Sequence, residues 1–226
     1  MRIGLITYDC PHLKTEQLVH RYIQNEKVKR INLYALPFKP RKKRTILFSH
    51  RPDMSQSVPT EKLLELSKVK FQKWDGKKNI SEKNDIFVIG GAGILDIAFA
   101  SEKPIVNAHP GIIPLTRGLD SFKWAIYNND PVGNTIHLID NEVDKGKILQ
   151  IKHTSVFTTD SLETLAQRHY ENEIDMLANV LDIIQSQIKP SGIEKPPTMR
   201  MSNEKEAKMI ANFDDWKLNI IKSQNL

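Results

Sequence analysis

The chain of 226 residues contains a single cysteine, Cys10. One thiol excludes an internal disulfide and any zinc site built from cysteine pairs, and such scarcity is typical of a reducing compartment. No apolar run reaches the roughly 18 residues that a membrane-spanning helix needs. The first residues, MRIGLITYDC, lack the small-residue cleavage site of a secretory signal and predict a strand instead. We therefore expect a cytoplasmic protein without a membrane partner.

Several ligand-binding signatures are also missing. The seven histidines form no H-E-x-x-H pair and no close cluster with carboxylates, so we expect no metal site. The stretch GGAG at Gly90–Gly93 lacks the third glycine of a dinucleotide-binding loop. The net charge of +6 lies partly in KPRKKR, residues 39–44, and partly in scattered lysines rather than on one patterned face. This arrangement argues against a nucleic-acid partner.

The chain does contain apolar, β-branched runs that alternate with helical patterns. Strands are predicted in RIGLITY, INLYAL, DIFVIGG and KPIVNAHP, and helices in TEQLVHRYIQ and TEKLLELSKV. Strands interleaved with helices indicate an α/β protein with a mostly parallel, twisted sheet and helices on both faces.

The second half of the chain continues this pattern. A helix is predicted in SFKWAIYNND, strands in GNTIHLID and GKILQIKHTSVF, and a long helix from Ser161 to about Ile184, where TTDSLETL supplies capping residues. KPSGIEKPP then interrupts the chain before a last helix near residues 204–221. These boundaries predict a main domain over residues 1–187 and a C-terminal appendage, a turn and a helix, over residues 188–226.

The stretch NAHPGIIPLTRG, which begins at Asn107 at the end of a predicted strand, concentrates reactive side chains. In open α/β sheets, ligands bind beyond the carboxyl ends of the strands. Asn107 and His109 alternate with Ala108, so they should project from the same side of an extended strand end. An amide and an imidazole placed in this way can both donate hydrogen bonds to one developing oxyanion.

A group that takes up protons is still needed. Asp144, in the segment NEVDKG, lies in the next β connection, where its carboxylate can meet the imidazole across the mouth of the sheet. A set of Asn, His and Asp without a Ser or Cys nucleophile argues against a covalent acyl-enzyme. The pattern favours direct transfer of a group to an external nucleophile. His137, on the following strand, is interpreted as a structural residue beside this site.

These residues resemble the folate-dependent formyltransferases, whose core motif runs N-x-H-P-S-L-L-P, then R-G, then G-x-T-x-H, and finally D-x-G with I-L. The corresponding positions here are Asn107, His109, Pro110, Ile112, Ile113, Pro114, Arg117, Gly118, Gly133, Thr135, His137, Asp144, Gly146, Ile148 and Leu149. Gly111 replaces the usual serine, and we interpret this as a tolerated loop change. A looser resemblance covers residues 2–185.

The resemblance implies a Rossmann-like formyltransferase core, 10-formyltetrahydrofolate as the formyl donor, and a primary amine as the acceptor. Asn107 and a protonated His109 would stabilise the tetrahedral oxyanion. Asp144 would hold the proton of His109 and relay the proton of the amine. The pterin ring would contact backbone at two loops, which contain Gly93, Ile94, Leu95, Ile139, Asp140, Asn141 and Val143.

The resemblance leaves several acceptors open. The segment YDCPHLKT lacks the glycine-rich turn that binds the ribosyl phosphate of glycinamide ribonucleotide in the purine-pathway branch. The segment after the long helix is shorter than the barrel-like domain of the methionyl-tRNA branch. The sequence is most like the sugar N-formyltransferases, which modify nucleotide-linked amino sugars for surface polysaccharides such as the O-antigen of lipopolysaccharide. A formyltetrahydrofolate hydrolase, with water in place of the amine, is a further alternative.

A small-molecule acceptor of this kind needs charged contacts. Tyr8 or Trp74 is expected to stack on the base of the nucleotide. The side chains that could neutralise its phosphates are His12, Lys14, His50, Arg51 and Arg117. The final helix either caps the domain or pairs two subunits in a homodimer.

Overall fold

The fold was determined as a computed structural model that describes residues 1–38, 40, 44–93, 95–139, 146–189 and 193–224. Within these ranges, seven strands form one sheet in the order β3-β2-β1-β4-β5-β6-β7. Their bounds are β1 Arg2–Tyr8, β2 Arg30–Leu36, β3 Val69–Lys73, β4 Ile86–Ile89, β5 Ile105–His109, β6 Gly133–Leu138 and β7 Ile148–His153. The pairs among β1 to β5 are parallel, and β6 pairs in antiparallel fashion with both β5 and β7. The predicted α/β class with a mostly parallel sheet is confirmed.

The helices of the described residues include long and very short elements. Their bounds are α1 Leu13–Gln24, α2 Ser121–Tyr127, α3 Leu162–Ala178, α4 Val180–Ile183, α5 Asn203–Ala211 and α6 Phe213–Gln224. Short 3-10 helices span Thr60–Glu65, Ser81–Lys83 and Ile97–Ala100. None of the described helices is both long and apolar enough to cross a membrane.

Alternation along the strands sends apolar side chains to both faces of the sheet. One face is covered by α1 and α3, and the OH of Tyr22 on α1 donates to the Leu177 carbonyl on α3 at 2.8 Å. On the opposite face, Ile6 and Phe87 pack with Trp74 and Phe99, which belong to short segments rather than long helices. β4, IFVI, is buried along its whole length because both faces are covered.

One predicted helix is wrong. TEKLLELSKV forms a 3-10 helix over Thr60–Glu65 and then β3, which pairs in parallel with β2. Leu63 is buried and Leu66 packs against the same core cluster, but Leu64 is 53% exposed. Lys68, at φ 65°, turns the chain into the strand. Pairing with the edge of the sheet therefore outweighs the local helical pattern.

The helices after β7 begin where the sequence predicts them but are interrupted. Ser161 caps α3 in a capping box with Thr164, as expected. The helix predicted from Ser161 to about Ile184 is interrupted at Asn179. The last helix, predicted as one, is two helices, α5 and α6, which are separated at Asn212. Both asparagines have non-helical backbone angles, which is consistent with the tendency of Asn to leave helix interiors for caps.

The C-terminal helices pack on α2 rather than standing apart. Met209, Phe213 and Trp216 share one buried cluster with Phe122 and Ile126. The indole N–H of Trp216 also donates to the Asp130 carbonyl at 2.9 Å. Ile126 is thus a core residue, and this packing puts the C-terminal segment next to the loop that follows β5.

Candidate active site

Two predicted site residues lie on β5, at the carboxyl end of the parallel part of the sheet. β5 ends at His109, and β6 runs beside it with His137 opposite Asn107 and Thr135 opposite His109. His109 is buried, whereas Asn107 is half-buried. The antiparallel strand β6 therefore supplies the immediate neighbours of both residues.

The Asn107 side chain is oriented by His137. Asn107 Nδ2 lies 3.2 Å from His137 Nε2, and His137 Nδ1 lies 3.1 Å from the Leu138 carbonyl. Because that carbonyl only accepts, Nδ1 carries the proton and Nε2 accepts from the amide. An amide NH2 has two donors, so one hydrogen fixes the group and the second can serve a ligand. His137 therefore lies beside the site as predicted and orients the amide.

The imidazole of His109 is held through Nε2. This nitrogen lies 2.9 Å from the Thr116 carbonyl and 3.1 Å from the Ser121 hydroxyl. The carbonyl only accepts, so Nε2 carries the proton in the neutral ring. Nδ1 is then the nitrogen at which His109 gains or gives a proton.

The pair of Ser121 and His109 superficially resembles a nucleophile and its base. Ser121 is fully buried, however, and its hydroxyl donates to the Gly118 carbonyl at 3.0 Å. His109 Nε2 already carries a proton and cannot take one from the hydroxyl. Ser121 is therefore a holder of the ring and not a nucleophile, which agrees with the sequence argument against an acyl-enzyme.

Gly111 allows the close approach that holds His109. A Cβ atom at this position would lie 2.5 Å from the Thr116 carbonyl oxygen and 2.8 Å from His109 Nε2. The hydroxyl of Thr135 accepts from the Ile113 N–H at 3.1 Å and donates to the Gly111 carbonyl at 2.7 Å, which fixes the loop on β6. The interpretation of Gly111 as a tolerated change is therefore incomplete, because this loop conformation requires glycine.

Part of the predicted site lies outside the described residues. This part consists of Ile94, Asp140, Asn141, Val143 and Asp144. The role of Asp144 as the proton partner of His109 stays a prediction.

The remaining predicted donor contacts lie on one side of the sheet. Leu95 and Ile139 pack against the same apolar cluster, around Ile6 and Phe87. Gly93 and Leu95 also line a cavity of about 660 Å³ beyond β1 and β2, whose walls include Tyr8 and Phe38. These two rings meet edge to face, with centroids 5.3 Å apart. Trp74, in contrast, is buried with its indole N–H on the Lys78 carbonyl, so it is not placed to stack on a base.

Two predicted acceptor contacts meet on a buried carboxylate that sequence reasoning missed. Lys14 Nζ lies 2.6 Å from Glu173 Oε1, and Arg51 Nη2 lies 2.7 Å from Glu173 Oε2. Burial by itself would raise the pKa of Glu173, but the charges of Arg51 and Lys14 outweigh it and lower the pKa to about 2. Burial lowers the pKa of Lys14, and Glu173 opposes that shift. With the carboxylate ionised, two cations and one anion leave a net positive charge.

The two histidines near this cluster do not add to its charge at neutral pH. Burial first, and the nearby cations Lys14 and Arg51 next, lower the pKa of His12 to about 4. Burial and the charge of Arg51 lower the pKa of His50 well below its ordinary value. The His50 ring stacks on Phe122, 5.9 Å between centroids. Both rings therefore offer hydrogen bonds or stacking rather than the positive charge expected from the sequence.

Arg117 is tied to the C-terminal segment. Its guanidinium donates to Glu194 Oε1 at 2.7 Å and to the Lys195 carbonyl at 3.1 Å, and the residue is buried. The structure does not bring it together with Lys14 and Arg51 around Glu173. Its role as a phosphate contact stays a prediction.

Four residues in and around the site had no role in the sequence analysis. Glu173 and His169 are four apart on the buried face of α3, and a carboxylate in an apolar helical stripe is the signal that could have revealed Glu173. Thr116 and Ser121 left no such signal, because their contacts with His109 depend on how the loop folds back.

Comparison with known proteins finds a family match over the region that contains β5 and the loop after it. Residues 91–181 match the sequence model of a family described as Formyl transferase. This range includes Asn107, His109 and Asp144, together with Thr116 and Ser121.

Two curated relatives match parts of the chain. The phosphoribosylglycinamide formyltransferase of Haemophilus influenzae is 33% identical over 78 residues, which cover 34% of this chain and 37% of that protein. The methionyl-tRNA formyltransferase of Sulfurimonas denitrificans is 24% identical over 171 residues, which cover 73% of this chain and 55% of that protein. The matches thus span 37% and 55% of the length of these relatives.

Three solved structures share the fold over most of the chain. A 4-N formyltransferase from Francisella tularensis has a TM-score of 0.61 at 18% identity and covers 92% of this chain and 86% of that one. The phosphoribosylglycinamide formyltransferase of Bacillus halodurans has a TM-score of 0.57 at 20% identity, and the match covers 82% of this chain and 96% of that one. The third structure is the formyltransferase PseJ from Anoxybacillus kamchatkensis in complex with UDP-4,6-dideoxy-4-formamido-L-AltNAc and tetrahydrofolate. It has a TM-score of 0.56 at 16% identity, and the match covers 96% of this chain and 94% of that one.

Proposed function

We propose that the chain transfers a formyl group from 10-formyltetrahydrofolate to a primary amine, and the match of residues 91–181 to the Formyl transferase family supports this proposal. The observation that carries this proposal is the state of His109. Its Nε2 is fixed by Thr116 and Ser121, so the ring presents Nδ1 for proton exchange at the carboxyl end of β5. The Asn107 amide, oriented by His137, stands two residues before it on the same strand.

The chemistry follows from these groups. The unprotonated amine attacks the formyl carbon, and the carbonyl oxygen becomes an oxyanion. The second N–H of the Asn107 amide and a protonated His109 stabilise that charge through hydrogen bonds. When the intermediate collapses, the bond from the formyl carbon to the folate nitrogen breaks, that nitrogen gains a proton, and the amine loses one. Asp144 is proposed to hold and relay the proton together with His109.

The donor is proposed to bind at the cavity that contains Gly93 and Leu95. A Cβ atom at Gly93 would meet no atom within 4 Å, so this backbone is open to a ring. Tyr8 and Phe38 supply aromatic walls at the same cavity. A planar, partly apolar ligand fits such a lining.

For the acceptor, we favour the amino group of a nucleotide-linked amino sugar used for surface polysaccharide. The net positive cluster of Lys14, Arg51 and Glu173 suits a phosphate-bearing substrate. The structural likeness to PseJ, whose complex contains a UDP-linked formamido sugar, extends over 96% of this chain. The likeness to the Bacillus halodurans phosphoribosylglycinamide enzyme extends over 82%.

Glycinamide ribonucleotide is the second candidate acceptor, because the Haemophilus influenzae relative is 33% identical over 78 residues. The two acceptors are distinguished by a panel assay with 10-formyltetrahydrofolate. The purified chain is incubated with aminated dTDP-, UDP- and GDP-sugars, glycinamide ribonucleotide, charged initiator tRNA and no acceptor, and products are identified by mass spectrometry. Formylation of one amino sugar supports the proposal. Formylation of the ribonucleotide or the tRNA alone overturns it, and release of formate without an acceptor indicates the hydrolase.

The mechanism is tested with variants of the catalytic groups. His109→Asn should fold normally and lower kcat by about 100-fold or more, since removal of one donor to an oxyanion typically costs that much. Asp144→Asn should also fold normally and lower kcat by about 100-fold or more, since a positioned acid or base typically contributes that much. His20→Asn is the matched control, because His20 is an exposed histidine on α1. Near wild-type turnover in either active-site variant would refute the assigned roles.

A further inference from the structure

The C-terminal segment forms a strap over the loop that holds His109. We define the strap as residues 194–201, the stretch before α5. Its anchors outside the loop include Lys195 Nζ on both carboxylate oxygens of Asp130, at 2.7 and 2.8 Å. The Trp124 indole N–H donates to the Met199 carbonyl at 2.7 Å. The strap is therefore bonded to the main domain on both sides of Thr198.

Thr198 is the centre of the contact. Its backbone N–H donates to the Arg117 carbonyl and its carbonyl accepts from the Leu119 N–H, each at 2.8 Å. Its hydroxyl also lies 2.8 Å from the carbonyl oxygens of Arg117 and Leu119. Gly118, between them, has φ +88°, and a Cβ atom there would lie 2.4 Å from the Thr198 carbonyl oxygen. Only glycine permits this approach.

Further bonds fix the residues on either side. Glu194 of the strap pairs with the buried Arg117. The Met201 N–H donates to Asp120 Oδ2 at 3.0 Å. Behind the strap, Glu206 on α5 is fully buried and pairs with Lys123 on α2. Arg117, Leu119 and Asp120 therefore all bond to the C-terminal segment.

These fixed residues lie between the two groups that hold the catalytic imidazole. Thr116 directly precedes Arg117, and Ser121 directly follows Asp120. The Thr116 carbonyl and the Ser121 hydroxyl are the partners of His109 Nε2. A movement of residues 117–120 would displace both partners together, because the Ser121 hydroxyl also donates to the Gly118 carbonyl.

We propose that the strap is a positioning element of the active site and that Thr198 is its central positioning residue. By holding residues 117–120, it keeps Thr116 and Ser121 in place, and with them the proton of His109 on Nε2. The C-terminal segment thus acts on catalysis through the loop, without contact to the reacting atoms. The catalytic part of this inference rests on the proposed function.

The test compares two substitutions of one side chain. Thr198→Val keeps the shape and removes the hydroxyl, and it should lower kcat about tenfold or more with little change in KM, since small misplacements of a catalytic group are costly. Thr198→Ser keeps the hydroxyl and should restore kcat. Glu204→Gln is the control, because Glu204 on α5 is exposed and pairs with the exposed Lys208. Urea unfolding shows that each variant is folded in the assay, and Thr198→Ala replaces Thr198→Val if the latter is not.

A second readout does not depend on turnover. The ring nitrogens of His109 are followed by NMR in 15N-histidine-labelled protein and assigned with His109→Asn. Wild type and Thr198→Ser should show the Nε2–H tautomer with one titration midpoint, and Thr198→Val should show mixed tautomers and a changed midpoint. Unchanged tautomer and kcat in Thr198→Val, even with reduced stability, would overturn the proposal. If the wild type transfers no formyl group, the proposed function fails, and the NMR comparison still decides whether the strap positions His109.

Discussion

Replacement of Glu173 by Gln should destabilise the fold more than any exposed substitution on α3. The carboxylate is 1% exposed and holds Lys14 at 2.6 Å and Arg51 at 2.7 Å. Glutamine has nearly the same shape but no charge, so the variant leaves two cations without their anion. Lys14 is itself 6% exposed and has little access to solvent. The loss is therefore one of charge compensation rather than of packing.

Two routes give a similar magnitude for this loss. The pKa of Glu173 falls from 4.5 to about 2. Each tenfold change in proton affinity is worth about 1.4 kcal/mol, so the shift corresponds to about 3 kcal/mol of the free energy of unfolding. Removal of one partner from a buried ion pair typically costs about 3–5 kcal/mol. We therefore expect Glu173→Gln to lower the free energy of unfolding by about 3 kcal/mol at pH 7.

The pH dependence of this difference provides a sharper check. Because the folded pKa is below the unfolded value, the stabilisation is complete well above pH 4.5 and is lost as the pH falls towards about 2. Urea unfolding of wild type and Glu173→Gln at pH 7, 5 and 3.5 should show a difference that shrinks at the lowest pH. Glu171→Gln, an exposed position two residues away, should change stability by less than about 0.5 kcal/mol. A difference below about 1 kcal/mol at pH 7 would refute the reasoning.

Two further outcomes follow from the same site. Burial lowers the pKa of His169, 2% exposed, to about 4. The unfolded chain binds this proton near pH 6.5, so stability should fall between pH 6.5 and 4, by up to about 3 kcal/mol, and thermal unfolding of His169→Gln should show a flatter profile. Gly111→Ser introduces the residue that is usual at this position in the family that the chain resembles. It should lower kcat about tenfold or more, since the serine Cβ would lie 2.5 Å from the Thr116 carbonyl oxygen. Wild-type kcat in that variant would contradict the close approach.

The sequence predicts most of the parallel core because apolar periodicity there agrees with burial. β1, β2, β4 and β5 lie where RIGLITY, INLYAL, DIFVIGG and KPIVNAHP predict them. β3 was not predicted, because Val69–Lys73 is partly exposed and its strand state depends on pairing with β2. An edge strand of this kind has little signal of its own in the sequence.

The candidate site likewise has a part that the sequence predicts and a part that depends on the tertiary structure. The alternation of Asn107, Ala108 and His109 on a strand end is a local property, and β5 has it. The partners that define the state of His109 come from Thr116 and Ser121, and the charge of the Glu173 cluster comes from α1, α3 and the loop at Arg51. The apolar stripe of α3 marks Glu173 as buried. The identity of these partners could not be deduced, because they lie far apart in the sequence and no periodic pattern connects them.

The amino-acid sequence by itself determined the α/β class and the strand that carries Asn107 and His109, because hydrophobic periodicity and side-chain alternation act over a few residues. Only the tertiary structure decided which nitrogen of His109 carries its proton, that His12 and His50 are neutral, and that residues 194–201 bind the loop that holds His109. Each of these depends on burial and on hydrogen bonds between segments that are far apart in the chain. Charge state and ring orientation are set by the surroundings of a side chain, and folding creates those surroundings.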